Sequence, residues 1–236
     1  MNNVVVFLFV ILISNAVQAI TGFAGTLIAM PPSMMLIGVD EAKVVLNLIA
    51  VITCAVIALS NKRDIRKDIL KKVILYMGIG MIVGIVIYKV VQIEYLLYLY
   101  GIMIILLSIK KMFFNKEVKL ENSGVIIILI IAGVIHGMFV SGGALLVVYM
   151  VNALKNKSEF RATMASVWVI LGIILTVNQG YSGLINMNLI YLTAIALIPA
   201  VIGVYFGNKL HGKISKEMFM KLTYILLFLS GAAIFV

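Results

Sequence analysis

Ile135–Met150 reads I-H-G-M-F-V-S-G-G-A-L-L-V-V-Y-M, an apolar run interrupted by Ser141-Gly142-Gly143. Glycine inside a helix weakens it by about 1 kcal/mol relative to alanine. In lipid, a broken backbone must satisfy its freed N–H and C=O groups in protein or in a water-filled cavity. Such a break belongs inside a packed bundle, where it can also face a solute. A counterpart lies 118 positions earlier, in Gln18–Pro32, with its own break at Thr21-Gly22-Phe23-Ala24-Gly25-Thr26.

The surrounding chain sets the solvent. Of 236 residues, 64% are hydrophobic and 12% charged, too few charges for a water-facing surface. Apolar runs of roughly 17–25 residues, enough to cross a bilayer as helix, recur along the length. The class is an all-α polytopic membrane protein with a single integral membrane domain and no separate soluble domain. The net charge of +10 does not indicate a nucleic-acid partner, because the basic residues sit in short loops between spans. Cys54 is the single cysteine, so no internal disulfide forms, and it reads as a packing residue. Ala16-Val17-Gln18-Ala19 resembles a signal-peptide cleavage site, but no basic segment precedes it. Residues 4–20 therefore read as a retained first span.

In order, the chain gives the run Val4–Ile20, the first break, a short segment Leu27–Ile37 interrupted by Pro31-Pro32, and the loop Gly38–Glu41. Spans follow at Ala42–Ser60, Val73–Val91 and Tyr95–Ser108. The second half repeats the plan: Gly124–Val140, the Ser141 break, the short segment Ala144–Leu154, then spans Ala162–Gln179, Met187–Gly207 and Met218–Phe235. Gln18–Ile52 aligns without a gap on His136–Ile170, placing Gly25 on Gly143, Glu41 on Glu159 and Lys43 on Arg161. Residues 1–118 and 119–236 read as two repeats, an organisation common in transporters.

Orientation follows from the cations. With Asn61–Lys72, Lys110–Asn122, Lys155–Arg161 and Asn208–Lys221 in the cytoplasm, only Lys43 and Lys89 of the 19 lysines and arginines lie outside. Matching loops then fall on opposite faces, so the repeats are inverted. Each holds a broken or re-entrant helix pair plus three transmembrane helices. Both termini are expected outside, in a plasma membrane.

In such a pair the two short helices begin near the midplane. Helix N-termini carry unpaired N–H donors and about half a positive charge, so two of them together suit an anion. Ser141 is expected to N-cap the second short helix, with Gly142 and Gly143 letting a ligand approach the backbone. Gln18, Thr21, Gly22, Gly25 and Thr26 supply the first break. Close helix packing through small residues is the plainer account of the glycines, and two matched breaks favour a site. His136 is either a satisfied core histidine or a group that hydrogen-bonds an anion or carries a proton. Asn47 is either a helix–helix hydrogen bond or a site wall. Arg161 is an interfacial anchor or a cytoplasmic attractor of anions. Trp168 reads as a packing or interface residue.

All nine Asp and Glu residues fall in loops or at span ends, leaving no core carboxylate for proton relay or sodium coordination. The sequence carries no metal cluster, phosphate loop or nucleophile triad, so enzyme chemistry and a cofactor are not expected. Homodimerisation is compatible with the sequence. A potential negative inside drives a monovalent anion outward with about 2.3 kcal/mol per 100 mV, so an exporter needs no coupling ion.

Gly22-Phe-Ala-Gly25 followed by Pro31, then His136-Gly137, Ser141-Gly142-Gly143-Ala-Leu-Leu-Val-Val-Tyr149 and Phe160-Arg161-Ala162-Thr163, resembles the sulfite exporter TauE/SafE family of membrane permeases. The resemblance spans essentially the whole chain. It departs from the family pattern in lacking consecutive glycines at the first break and in having Ala144 where proline is common. It implies a transporter of sulfite, a sulfonate or a similar anion, and carries over Gly22, Gly25, Ser141–Gly143 and Arg161–Thr163. An anion channel or uptake permease is the alternative within transport. A membrane assembly or receptor-like protein is the alternative outside it.

Overall fold

The computed structural model describes residues 2–113, 122–154 and 156–210, with a few positions between 225 and 235. Among them, regular structure is entirely helical: α1 Asn2–Thr21, α2 Gly25–Ile37, α3 Val39–Ser60, α4 Lys67–Val90, α5 Ile93–Phe113, α6 Asn122–Phe139, α7 Gly143–Ala153, α8 Lys157–Tyr181 and α9 Met187–Leu210. A 3-10 turn at Lys62–Asp64 joins α3 to α4. Seven of the nine helices are long and apolar enough to cross a membrane, and α2 and α7 are too short. The expected last span, Met218–Phe235, and most of the Lys110–Asn122 linker lie outside the described residues.

Boundaries shift where backbone physics overrides composition. Helix α2 runs unbroken through Pro31 and Pro32, where helix propensity predicts an interruption. Each proline leaves one carbonyl a turn earlier without its donor, and neighbouring helices tolerate that in a membrane bundle. The loop expected at Gly38–Glu41 shrinks to Gly38, whose φ of 95° suits glycine. The first break narrows to Gly22–Ala24, and the second shifts by one residue to Val140–Gly142.

Tight crossings build the bundle: α4 lies along α6, α1 along α9 and α3 along α8. The first uses two glycine pairs spaced by four. Gly80 and Gly84 of α4 press on the carbonyls of Ile130 and Val134, and Gly133 and Gly137 of α6 on those of Met77 and Met81. No side chain fits there, and such close approach drives helix association in lipid. The α1–α9 crossing repeats the arrangement, Gly203 against the Leu12 carbonyl and Gly207 against that of Ala16. Leu12 and Ala16 stand 118 positions before Ile130 and Val134.

Helices α3 and α8 run antiparallel. Asn47 of α3 donates to the Gly172 carbonyl (3.1 Å), Thr176 Oγ1 (2.9 Å) and Gln179 Oε1 (3.3 Å), while Val51, one turn on, meets Gly172. At the other end of α8, Thr163 Oγ1 accepts the backbone N–H of Arg66 (3.0 Å). Arg66 also pairs with Asp68 (3.2 Å) and Glu159 (3.4 Å), fixing the turn into α4. These exposed pairs add little stability and mainly set geometry.

Two broken helices that meet at Trp168

The two breaks share one local geometry. Helix α1 closes with Gly22 N–H donating to the Gln18 carbonyl at 2.7 Å, and α6 with Val140 N–H donating to the His136 carbonyl at 2.8 Å. Gly22 then turns into the left-handed region at φ 81°, and Val140 does so at φ 56°. Two residues on, Ala24 and Gly142 act as N-caps with nearly the same backbone angles. Each of these pairs is 118 positions apart. Glycine adopts positive φ freely, whereas a β-branched valine there is strained by about 1–3 kcal/mol.

The structure brings the breaks into contact. A Cβ added to Gly143 would lie 2.8 Å from the Phe23 carbonyl oxygen and 3.4 Å from Trp168 Cζ2. Trp168 Nε1 donates to the Gly22 carbonyl at 3.1 Å, and its ring lies against that of His136, tilted by 33° with centroids 5.3 Å apart. One side chain on α8 thus touches the end of α1, the end of α6 and the start of α7. Buried indole N–H groups need an acceptor, and the end of a broken helix supplies a free carbonyl.

The breaks differ in how their amides are satisfied. At the first, Gln18 Oε1 accepts from Gly25 N–H at 2.7 Å, and Thr21 Oγ1 accepts from Phe23 and Ala24 N–H at 3.3 and 3.2 Å. Gln18 Nε2 also contacts Cys54 Sγ at 3.5 Å. At the second, Ser141 is not the expected N-cap: its hydroxyl donates to the Phe139 carbonyl at 2.8 Å, and Gly142 occupies the cap position. No side chain binds the first-turn amides of α7 among the described residues. His136, in the place of Gln18, is 3% exposed, and neither ring nitrogen has a hydrogen-bond partner. The second break therefore keeps open amides beside an unpartnered imidazole, while the first is capped from within.

Beside the first break a cleft opens between α1, α2 and α3, lined by Ser14, Asn15, Gln18, Gly25, Thr26 and Thr53 among others. Ala50 borders it, and 118 positions later stands the much larger Trp168. Arg161 also joins the first break, its Cα 3.7 Å from a Cβ placed on Gly22. Its guanidinium donates to Asn208 Oδ1, and its buried Nε has no partner.

Most of the residues singled out from sequence therefore converge: Gln18, Thr21, Gly22, Gly25, Thr26, His136, Gly142, Gly143 and Arg161. Asn47 and Thr163 instead hold helices together, being 1% and 0% exposed with their polar atoms engaged. Sequence reading missed Trp168 and Phe23 as members of the junction. The signal for Trp168 was its uniqueness and its alignment on Ala50, a large-for-small exchange in a core position.

Among the described residues no cluster of His, Cys, Asp or Glu is arranged to hold a metal ion. No curated protein and no solved structure matches the chain. The family model described as Sulfite exporter TauE/SafE matches residues 6–234, nearly the full length. With membrane-length helices, two short broken ones and this match, the chain belongs to the sulfite exporter TauE/SafE family of membrane transporters.

Proposed function

We propose that this transporter moves a small sulfur oxyanion, sulfite or a sulfonate, outward through the junction of the two breaks. The observation that carries the reading is the contact of Gly143 with the Phe23 carbonyl beneath Trp168. It puts the open amides of α7, the His136 ring and the polar cleft beside α2 in one neighbourhood. Amide donors at a helix start hold an oxyanion without a cation buried beside it.

Several observations support inverted repeats. Helices α3 and α8, matched by the 118-residue offset, run antiparallel. The left-handed residues and the helix-closing bonds recur at the same offset, as do the carbonyls against which the crossing glycines of α4 and α9 press. In that frame both termini lie outside the plasma membrane. The close seal of Gly143 on Phe23 favours alternating exposure over an open channel. Ser141–Gly143 supplies the second half of the site, and the cleft by Thr26 the route from the first.

Purified protein in liposomes tests this. Saturable flux of sulfite, thiosulfate or a sulfonate, enhanced when the potential favours anion exit, is expected. Gly143→Leu, which must displace Phe23, should abolish it. Saturable flux retained in a folded Gly143→Leu variant, or no flux of any of these anions in the wild type, would overturn the reading.

A further inference from the structure

Lys43 stands in the first two turns of α3, 4% exposed, with its ammonium 2.9 Å above the centre of the Tyr88 ring. Among the described residues no carboxylate lies within ion-pair distance of it. Asp40, three residues earlier on α3, is occupied by the Tyr88 hydroxyl at 2.7 Å. A buried cation without an anion partner is costly, and a ring face offsets only part of that. Tyr88 in turn meets Phe139 edge-on at 6.2 Å, the residue before the left-handed Val140. Lys43 therefore reaches the second break through two rings.

Its counterpart in the repeat is Arg161, which flanks the left-handed Gly22 of the first break and also lacks a carboxylate partner among the described residues. Arg161 leans on Asn208 near the end of α9, as Lys43 leans on Tyr88 near the end of α4. Because α3 and α8 run antiparallel, the two cations stand toward opposite faces. Arg161 sits beside the first break and Lys43 two rings from the second, and each holds a neutral polar or aromatic group with no carboxylate within ion-pair distance among the described residues.

We infer that Lys43 and Arg161 are paired oxyanion stations, one for each face, which receive the transported anion before and after it crosses the junction. This rests on the transport reading above and adds that binding from each side has its own cation. A compact ammonium suits an oxyanion as a point charge, while a guanidinium suits it through a fork of N–H groups. The ring of Tyr88 holds the ammonium when no anion is present, and an arriving oxyanion displaces a weak contact with a stronger one.

The test uses sulfite flux in right-side-out and inside-out membrane vesicles. Lys43→Gln should raise the half-saturating concentration about tenfold at the face where α3 begins, the loss expected for one charge-assisted hydrogen bond. The other face should be unchanged. Arg161→Gln should give the mirror image, and Lys43→Arg should restore most of the affinity. If Lys43→Gln does not fold, Lys43→Met keeps an unbranched stem without the charge and serves in its place. A shift equal at both faces, or at neither while flux persists, overturns the inference. Absence of wild-type sulfite flux at both faces refutes instead the transport reading beneath it.

Discussion

Val140 is a β-branched residue held at φ 56°. Its counterpart, Gly22, takes the same turn without strain. Val140 is also 2% exposed, so any truncation loses its packing, and the strain shows in the comparison of two truncations. Val140→Gly should melt above Val140→Ala in detergent, because relief of about 1–3 kcal/mol exceeds the added chain entropy of glycine, about 0.5–1 kcal/mol. A lower melting temperature for the glycine variant would mean that the turn is not strained. Trp168→Phe keeps the ring on His136 and removes the donor to the Gly22 carbonyl. It should destabilise by about 0.5–1.5 kcal/mol, the net worth of one hydrogen bond, because Gln18 Nε2 still donates to that carbonyl at 3.4 Å, and slow flux. Unchanged stability would mean that the Gln18 contact alone satisfies the carbonyl. At this scale the sequence was partly legible. Glycines mark permissive backbone, so Gly22 and Gly25 stood out, but nothing in the letters of Val140 announces a left-handed turn. Ser141 misled because its residue type favours N-caps, while a hydroxyl beside a broken helix end also finds a free carbonyl.

Among the elements, the glycine crossings are the rigid contacts. A leucine at Gly84 must push apart two backbones, so Gly84→Leu should cost more than about 3 kcal/mol and lower the yield of monodisperse protein. Gly172→Ala meets the tip of the Val51 side chain and should cost clearly less. Equal losses would show that the crossings tolerate separation. The seven spans among the described residues, the two breaks and the short segments were legible because lipid demands long apolar runs and tolerates interruptions only inside the bundle. Helix ends were less so. Pro31-Pro32 reads as a stop from propensity alone, yet neighbouring helices keep α2 continuous, a tertiary effect no local rule supplies. Asn47 offered two readings, and only the position of Gly172, 125 residues away, decides for the helix–helix bond.

For the whole molecule, the account requires both termini on one face, opposite Asn61–Lys72. Single cysteines near each end and in that loop, on a Cys54→Ala background, should be labelled from opposite sides by an impermeant reagent. Termini labelled from different faces would remove the inverted frame. Trp168 offers a more direct probe, because it is the chain's single tryptophan and touches both breaks. Titration of the wild-type protein with sulfite, thiosulfate and a sulfonate, read by tryptophan emission, therefore reports on the junction alone. The account predicts a saturable change for the transported anion, with a midpoint matching its flux and lost in Gly143→Leu. An anion that is carried with saturation while the emission of Trp168 stays constant would contradict it.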